Sequence, residues 1–147
     1  MFSGMELYLK VKIFMKRSTE SLRESEIYIM SAEKAREELL DRDDKAWNPV
    51  VVNCIMAMIK SSDALMLENR GHTNKDHSTT ANELQKLYEE GLISEGFKSN
   101  LDSVSKWVVD KKTEIQYRNA KVSMTDADRA LKASRRLLEK TKKELEK

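Results

Sequence analysis

The two histidines of the chain lie in one loop, where their neighbours could support phosphate or metal chemistry. Arg70 and His77 are separated by six residues, a pair that could stabilise a phosphate and take up a proton. His72, Asp76 and His77 offer ligands of the type that transition metals bind. The structural alternative, which we favour, is that Asp76 or Ser78 caps the next helix and His77 closes the turn. Arg70, His72 and His77 are therefore secondary candidates for a phosphate or nucleotide contact.

The C-terminal third of the chain carries most of the positive charge. Residues 106–147 contain 13 basic and 7 acidic residues, whereas residues 18–46 contain 9 acidic and 5 basic residues, although the formal net charge of the whole chain is only +2. Such asymmetry attracts phosphate groups, while the competing interpretation is a solvated helix face. The candidate phosphate-binding cations of this stretch are Arg118, Lys121, Lys132, Arg135 and Arg136, followed by Lys142 and Lys143.

Helices must position these side chains, because turn residues are scarce and apolar residues recur at helical spacing. With 4 Gly and 1 Pro, the chain cannot separate the many short strands of a sandwich or barrel. We predict an all-α fold of about five helices, over roughly residues 19–40, 48–70, 79–90, 96–119 and 125–147. The short connections predict an up-and-down bundle.

The second predicted helix has the clearest boundaries. Asn48 is a suitable N-cap, Pro49 occupies the first helical position, and Gly71 supplies a left-handed residue at the far end. Apolar residues surround much of this helix, which predicts a central position in the bundle. Two other helix starts are predicted from capping-box spacing, at Ser21–Glu24 and at Thr125–Asp128.

The sequence of residues 1–17 fits several different structures. Leu9, Val11 and Ile13 alternate with Lys10 and Lys12, a pattern that fits an edge strand, a helix extension or an arm contacting a second subunit. We therefore divide the chain into an arm or helix extension over residues 1–17 and one helical-bundle domain over residues 18–147.

Several function classes are disfavoured by what the sequence lacks. Cys54 is the single cysteine, so an intrachain disulfide is excluded and a cysteine-based zinc site is not expected. The chain has no P-loop and no dinucleotide-binding glycine motif, and we predict no cofactor and no metal. We see no apolar run of the roughly 18–20 residues that a membrane span needs and no secretory signal, which predicts a soluble, cytoplasmic protein.

Five short stretches, in this order along the chain, resemble the HEPN family of helical bundles. They are Ser31–Ala35, Ser62–Leu67, Gly71–His77, Tyr117–Asn119 and Asp126–Leu131. The resemblance covers about residues 18–145 and implies a bundle whose penultimate helix ends in an arginine. One departure concerns Asn53–Met56, where many stand-alone members have a pair of aromatic residues.

The resemblance also implies a chemistry, which this chain keeps only in part. Active HEPN ribonucleases resemble one another in an Arg-x4–6-His motif, in which histidine is the general base and arginine stabilises charge on the phosphate. Arg118 and Asn119 match the arginine end of the motif. The histidine would fall at positions 123–125, which hold Ser, Met and Thr. The ribonuclease motif is therefore incomplete.

We expect a non-catalytic module that binds RNA, a nucleotide or a partner protein, and a homodimer is the expected assembly. One alternative is a metal-independent ribonuclease toxin held by a nucleotidyltransferase-like partner, which the resemblance implies. Another is a purely structural dimerising bundle. Trp107 and Tyr117 on the fourth predicted helix would stack on bases or, in the interpretation that we favour, pack in the core or in a dimer interface.

Overall fold

The computed structural model describes residues 3–43, 46–73, 76–116 and 121–147, apart from the side chains of residues 8–16, 113 and 116. Every regular element in these ranges is helical, which confirms the predicted all-α class. Two short 3₁₀ turns, His77–Thr79 and Glu95–Phe97, precede the third and fourth helices. The elements are α1 (Gly4–Leu40), α2 (Asn48–Arg70), α3 (Thr80–Glu89), α4 (Lys98–Val104), a π-helical segment (Ser105–Lys111), α5 (Lys112–Gln116) and α6 (Met124–Leu145).

The first two helices form an antiparallel pair. The Arg17 guanidinium donates to the carbonyl of Gly71 at 2.8 Å, and the Ser25 hydroxyl donates to the carbonyl of Ala57 at 2.8 Å. Residues later in α1 thus meet residues earlier in α2. The buried Ser25 hydroxyl also lies 2.8 Å from that of Ser61, so small polar side chains satisfy one another where these helices are in close contact.

Helix α6 lies antiparallel to α1 and is tied to it by ion pairs. Arg36 contacts Asp128 at 2.6 Å near the start of α6, and Lys142 contacts Glu26 at 2.7 Å near its end. The hydrogen bond from Arg36 to Asp128 raises the pKa of the guanidinium, and that from Lys142 to Glu26 raises the pKa of the ammonium group. The acidic stretch of residues 18–46 and the basic C-terminal third therefore neutralise part of each other's charge.

The chain from α4 to α5 runs antiparallel to α6. Before α4 begins, the Ser94 amide donates to Glu144 at 3.2 Å, and Lys140 donates to the carbonyl of Gly96 at 3.1 Å. At the other end, Trp107 and Ile115 line the same cavity as Asp126. Thus α1, α2, the stretch from α4 to α5, and α6 alternate in direction along the chain. The predicted up-and-down arrangement is confirmed.

Helix α2 occupies the centre of the bundle, as its apolar periphery predicts. Its fully buried side chains include Val50, Ile55, Met58 and Leu65. Cys54 is also fully buried, and burial raises the pKa of its thiol to about 12, so the cysteine acts as a core residue. The sequence analysis found no apolar run of the length that a membrane span needs, but α2 is long and apolar enough to span a membrane. However, 67% of its apolar window is buried against other helices, as in the central helix of a soluble protein.

The N-terminal boundary of α1 differs from the prediction. The helix begins at Gly4, where the Ser3 hydroxyl accepts from the Glu6 amide at 3.1 Å. The edge-strand alternative for residues 1–17 is wrong within the described part of this segment, which is a helix extension. Ser21, predicted as a cap, lies inside the helix and donates to the carbonyl of Lys60 at 2.7 Å. No proline and no second glycine lies between Gly4 and Leu40, so the sequence contains no strong helix breaker over this length.

Two other helix starts are shifted by one or two residues. The capping box of α6 is formed by Ser123 and Asp126, not by Thr125–Asp128. The backbone hydrogen bond from Ser123 lowers the pKa of the Asp126 carboxyl. Helix α2 begins at Asn48 with Trp47 in the capping position, although Gly71 ends it in the left-handed conformation as predicted. The residue types at helix starts are thus recognisable, whereas their register is set by packing.

The predicted fourth helix is interrupted by the π-helical segment. Phe97, Leu101 and Val104 are buried as the α-helical stripe predicts. The consecutive residues Trp107 and Val108 are both buried as well. The predicted end of this helix near Asn119 lies outside the described residues.

Asp63 on α2 gives the bundle a pH dependence of its own. Burial raises the pKa of its carboxyl to about 6, against the attraction of nearby Lys60. A raised carboxyl pKa means that the folded state favours the protonated form, so this contribution to stability is lost as the pH rises from about 4 through 6. We expect Asp63→Asn to raise the free energy of unfolding by about 1 kcal/mol at pH 8, after allowance for partial exposure, and to leave it unchanged at pH 4. Urea unfolding at both pH values measures the difference; equal effects at the two would contradict it.

Candidate functional site

A basic groove with a cavity volume of about 250 Å³ lies beside α6. Its opposite side is formed by α4 and the π-helical segment that follows it, together called the α4–π-helical wall. Three of the groove cations, Arg129, Lys132 and Arg136, follow one another at spacings of three and four residues, which places them on one face of α6. Lys106 of the π-helical segment faces them from the opposite wall. No acidic side chain is among the described residues that line the groove, which are Ser99, Asn100, Ser103, Lys106, Trp107, Arg129, Lys132, Ala133 and Arg136.

None of the four groove cations forms an ion pair within the described ranges, where the ion pairs use other cations. One of them, Arg129, has Asp126 as a charged neighbour, and its charge helps to lower the pKa of that carboxyl. The Lys106 ammonium group instead lies 5.0 Å from the ring centroid of Trp107. Like charges concentrated in one cleft produce a strong positive potential, so the groove is a surface that attracts anions.

The base of the groove combines an apolar wall with a polar group. The Trp107 ring is 4% exposed and packs in the core, which agrees with the favoured prediction for it. Asn100 on α4 is 6% exposed, and its side-chain oxygen has no hydrogen-bond partner in the described part of the protein. Buried acceptors are nearly always paired, so this one is a departure that needs an explanation.

A second face of α6 uses its cations differently. Arg135, which the sequence places beside Arg136, pairs with Glu33 of α1 at 2.8 Å. Lys142 pairs with Glu26 in the same manner. Arg135 and Lys142 therefore face α1 and do not line the groove with Arg136, since adjacent helical residues point about 100° apart. Their part in phosphate binding stays a prediction. Lys132 and Arg136, by contrast, are brought together as predicted.

An adjoining cavity of about 260 Å³ extends the groove towards the start of α6 and shares Lys106, Trp107 and Arg129 with it. The predicted residue Lys121 lines this extension. Glu114 also lies there, 3.7 Å from the ammonium group of Lys111, so the extension is less uniformly positive than the groove. Lys121 is thus placed next to the groove cations.

The arginine end of the incomplete ribonuclease motif lies outside the described residues: Arg118 and Asn119 both do, as does Tyr117. Ser123, at the first of the three positions where a histidine would complete the motif, caps α6. No catalytic pair can therefore be built from the described residues at this position.

The candidate site residues in and beside the loop after α2 have different surroundings. Arg70 forms an ion pair with Glu90 at the end of α3, and His72 is exposed. The Asp76 carboxylate accepts from the Ser78 hydroxyl at 2.7 Å and from the Ser78 amide at 2.9 Å, which confirms the predicted cap. These two hydrogen bonds lower the pKa of Asp76. Across the described residues, no cluster of three potential metal ligands is found.

His77 belongs to the same turn and faces the bundle. Its ring is half-buried and its Nδ1 has no hydrogen-bond partner among the described residues. Burial lowers the pKa of this imidazole, and the nearby cations Lys112 and Lys60 lower it further. The ring is thus neutral at pH 7. It does not line the basic groove.

A larger cavity of about 410 Å³ lies between α1, the end of α2 and the end of α6. Its lining mixes Arg17 and Lys142 with Glu68 and Glu146. Both cations are engaged there, Arg17 with the Gly71 carbonyl and Lys142 with Glu26. Volume alone therefore does not mark this cavity as a charged ligand site, and the smaller basic groove is the stronger candidate.

Three groove residues escaped the reasoning from sequence: Lys106, Arg129 and Asn100. Arg129 was detectable, because it continues the helical spacing of Lys132 and Arg136 by three residues towards the N-terminus. Lys106 and Asn100 gave no comparable signal, since their position depends on how the α4–π-helical wall packs against α6.

Comparison with known proteins adds no family assignment. No family model matches the chain, and no curated protein does so either. The HEPN resemblance of the sequence therefore stays a prediction, and the groove geometry is the basis for functional argument.

Proposed function

We propose that this protein is a non-catalytic binding module whose basic groove takes the phosphate backbone of single-stranded RNA. The observation that carries the proposal is the set of four cations, Lys106, Arg129, Lys132 and Arg136, that line one groove whose described lining contains no acidic side chain. Each cation that neutralises a phosphate releases counterions, which favours binding at moderate salt.

The alternative of a solvated helix face is less consistent with this arrangement. A solvated face of α6 would intersperse acids with bases, as happens towards α1, where Arg135 and Lys142 each have a glutamate partner. Here cations from two different elements converge instead. Convergence of like charge opposes folding, so a ligand that neutralises it gives the cluster a function.

Two observations support binding without catalysis. Metal-independent cleavage of RNA needs a general base near the 2′-hydroxyl, for which histidine is the usual group. Neither His72 nor His77 lines the groove, and no carboxylate is among the described residues that line it. The ribonuclease activity that the HEPN resemblance implies, with its nucleotidyltransferase-like partner, is therefore the less favoured hypothesis.

The test is a fluorescence anisotropy titration of labelled single-stranded RNA at several salt concentrations. We expect the logarithm of the association constant to fall linearly with the logarithm of salt concentration, with a slope of about −2 to −3 for three or four phosphate contacts on a single strand. Arg136→Ala should weaken binding about threefold to tenfold and reduce the slope by about one.

Arg135→Ala is the matched control for that variant. It removes the same formal charge from the neighbouring position, but its guanidinium pairs with Glu33 outside the groove. We expect its RNA affinity to stay close to that of the wild type. Binding that is absent, or that does not respond to salt, would refute the proposed function; equal losses in the two variants would show that net charge, not the groove, is responsible.

A further inference from the structure

We infer that Asn100 makes the basic groove selective for RNA over DNA by hydrogen bonding to a ribose 2′-hydroxyl. The inference rests on the proposed function, since it assigns to Asn100 a partner on the same ligand whose phosphates the groove cations hold. It adds a contact that charge alone cannot supply, because phosphates are common to both nucleic acids.

The first step is the state of the Asn100 amide. Its side chain is 6% exposed, lines the groove and leaves its Oδ1 without a partner in the described protein. The other described lining residues do not meet this need: Lys106, Arg129 and Arg136 offer donors, but none donates to Asn100. The Ser103 hydroxyl lies instead 3.5 Å from the carbonyl of Ser99. Asn100 thus has a buried acceptor without a partner, in a side chain that lines the same groove as the four cations.

The second step is the chemistry of a group that fits. A carboxamide both accepts and donates, and the terminal torsion of asparagine is soft enough to present either atom to the groove. A 2′-hydroxyl likewise donates and accepts. It is also attached to the sugar next to the phosphate, so a groove that holds the backbone brings the hydroxyl near. Recognition of this group is what distinguishes RNA from DNA at a given site.

The third step concerns bases. Trp107, the aromatic residue of the groove, is 4% exposed and its ring packs in the core, so it offers no open face on which a base could stack. We therefore expect contacts with sugar and phosphate and little dependence on base sequence.

The experiment compares three single-stranded oligonucleotides of one sequence with ribose, 2′-O-methylribose or 2′-deoxyribose sugars. The methyl ether keeps the 2′-oxygen as an acceptor but removes its proton. For the wild-type protein we expect the ribose form to bind about tenfold more tightly than either of the others, as one added hydrogen bond allows. This comparison uses the unaltered protein, so it does not depend on a variant that folds.

The matched variants are Asn100→Leu, which keeps the approximate shape of the side chain, and Ser103→Ala as a control in the same wall. In Asn100→Leu we expect the preference for ribose to vanish, because affinity for the ribose oligonucleotide falls about tenfold, towards that for the deoxy form. Its Tm should stay equal to that of the wild type or rise, because replacing an unpaired buried polar group with an apolar one of similar shape is neutral or stabilising. Ser103→Ala should retain the preference.

The outcomes separate the inference from the proposed function. If the wild type binds all three oligonucleotides equally and with the expected salt slope, the role of Asn100 is refuted and RNA is not distinguished from DNA, but binding in the groove stands. If Asn100→Leu keeps the preference for ribose, another residue reads the hydroxyl and the inference is refuted. If none of the three binds, the proposed function fails and the inference with it.

Discussion

The double variant Arg129→Glu, Arg136→Glu is expected to bind single-stranded RNA at least about 100-fold more weakly than the wild type at physiological salt. It leaves two cations, Lys106 and Lys132, opposed by two carboxylates in the same groove. The variant loses phosphate contacts and also repels the RNA backbone. Salt screens both effects, so the difference in affinity between the variant and the wild type should shrink as the salt concentration rises. Anisotropy titrations at low and high salt would measure the loss.

The same variant should fold at least as well as the wild type. Neither arginine forms an ion pair among the described residues, so no ion pair found there is broken, although Asp126 loses its favourable charged neighbour Arg129. The new glutamates would lie close to Lys132 and Lys106, which relieves repulsion between like charges and adds opposite-sign pairs on α6. We expect an unchanged or higher Tm at low salt, a combination that distinguishes a ligand-binding cluster from a structural one.

Arg135→Glu, Lys142→Glu is the control with an identical change in net charge. Its new carboxylates would face Glu33 and Glu26 of α1. Here we expect a lower Tm, because two ion pairs become repulsive contacts, and most of the RNA affinity of the wild type. If this variant lost as much affinity as the groove variant, binding would follow the total charge of the protein and the groove would have no special role.

The sequence defines the helices better than it defines the groove. Residues within each helix are sufficient to predict it. Pro49 and Gly71 mark the ends of α2. The apolar stripe through Phe97, Leu101 and Val104 marks the wall that carries the site. Register at the helix starts is less local. Ser123 and Thr125 are both acceptable N-caps, and the choice between them depends on which turn of α6 packs against the bundle.

The groove depends on information that no single segment contains. Arg135 and Arg136 are adjacent and chemically identical, so their charges alone cannot assign one to α1 and the other to α4. That division follows from Glu33 lying opposite α6, which requires the antiparallel packing of α1 and α6. The resemblance to a known family implies a role for Arg118, whereas the cations that line the groove are Lys106 of the π-helical segment and three residues of α6.

Phe97→Ala is expected to lower the free energy of unfolding by about 3–5 kcal/mol. Phe97 is fully buried and is among the largest fully buried side chains. It ends the 3₁₀ turn that leads into α4, so its ring anchors the start of the wall that carries Asn100. Since a domain of this size has a total stability of about 5–15 kcal/mol, the variant would lose a large part of it. Urea unfolding, followed by circular dichroism at the helical band, measures the change.

Phe97→Leu is the matched comparison, because it keeps most of the apolar volume and should cost roughly half as much or less. The two variants also test how the wall is held. If the ring anchors α4 as one rigid unit with the π-helical segment, Phe97→Ala should weaken RNA binding only by lowering the folded fraction, and the affinity of the folded molecules should equal that of the wild type. Lower affinity at full folding would mean that the wall shifts locally. In that case Lys106 and Asn100 depend on this one ring for their position opposite α6.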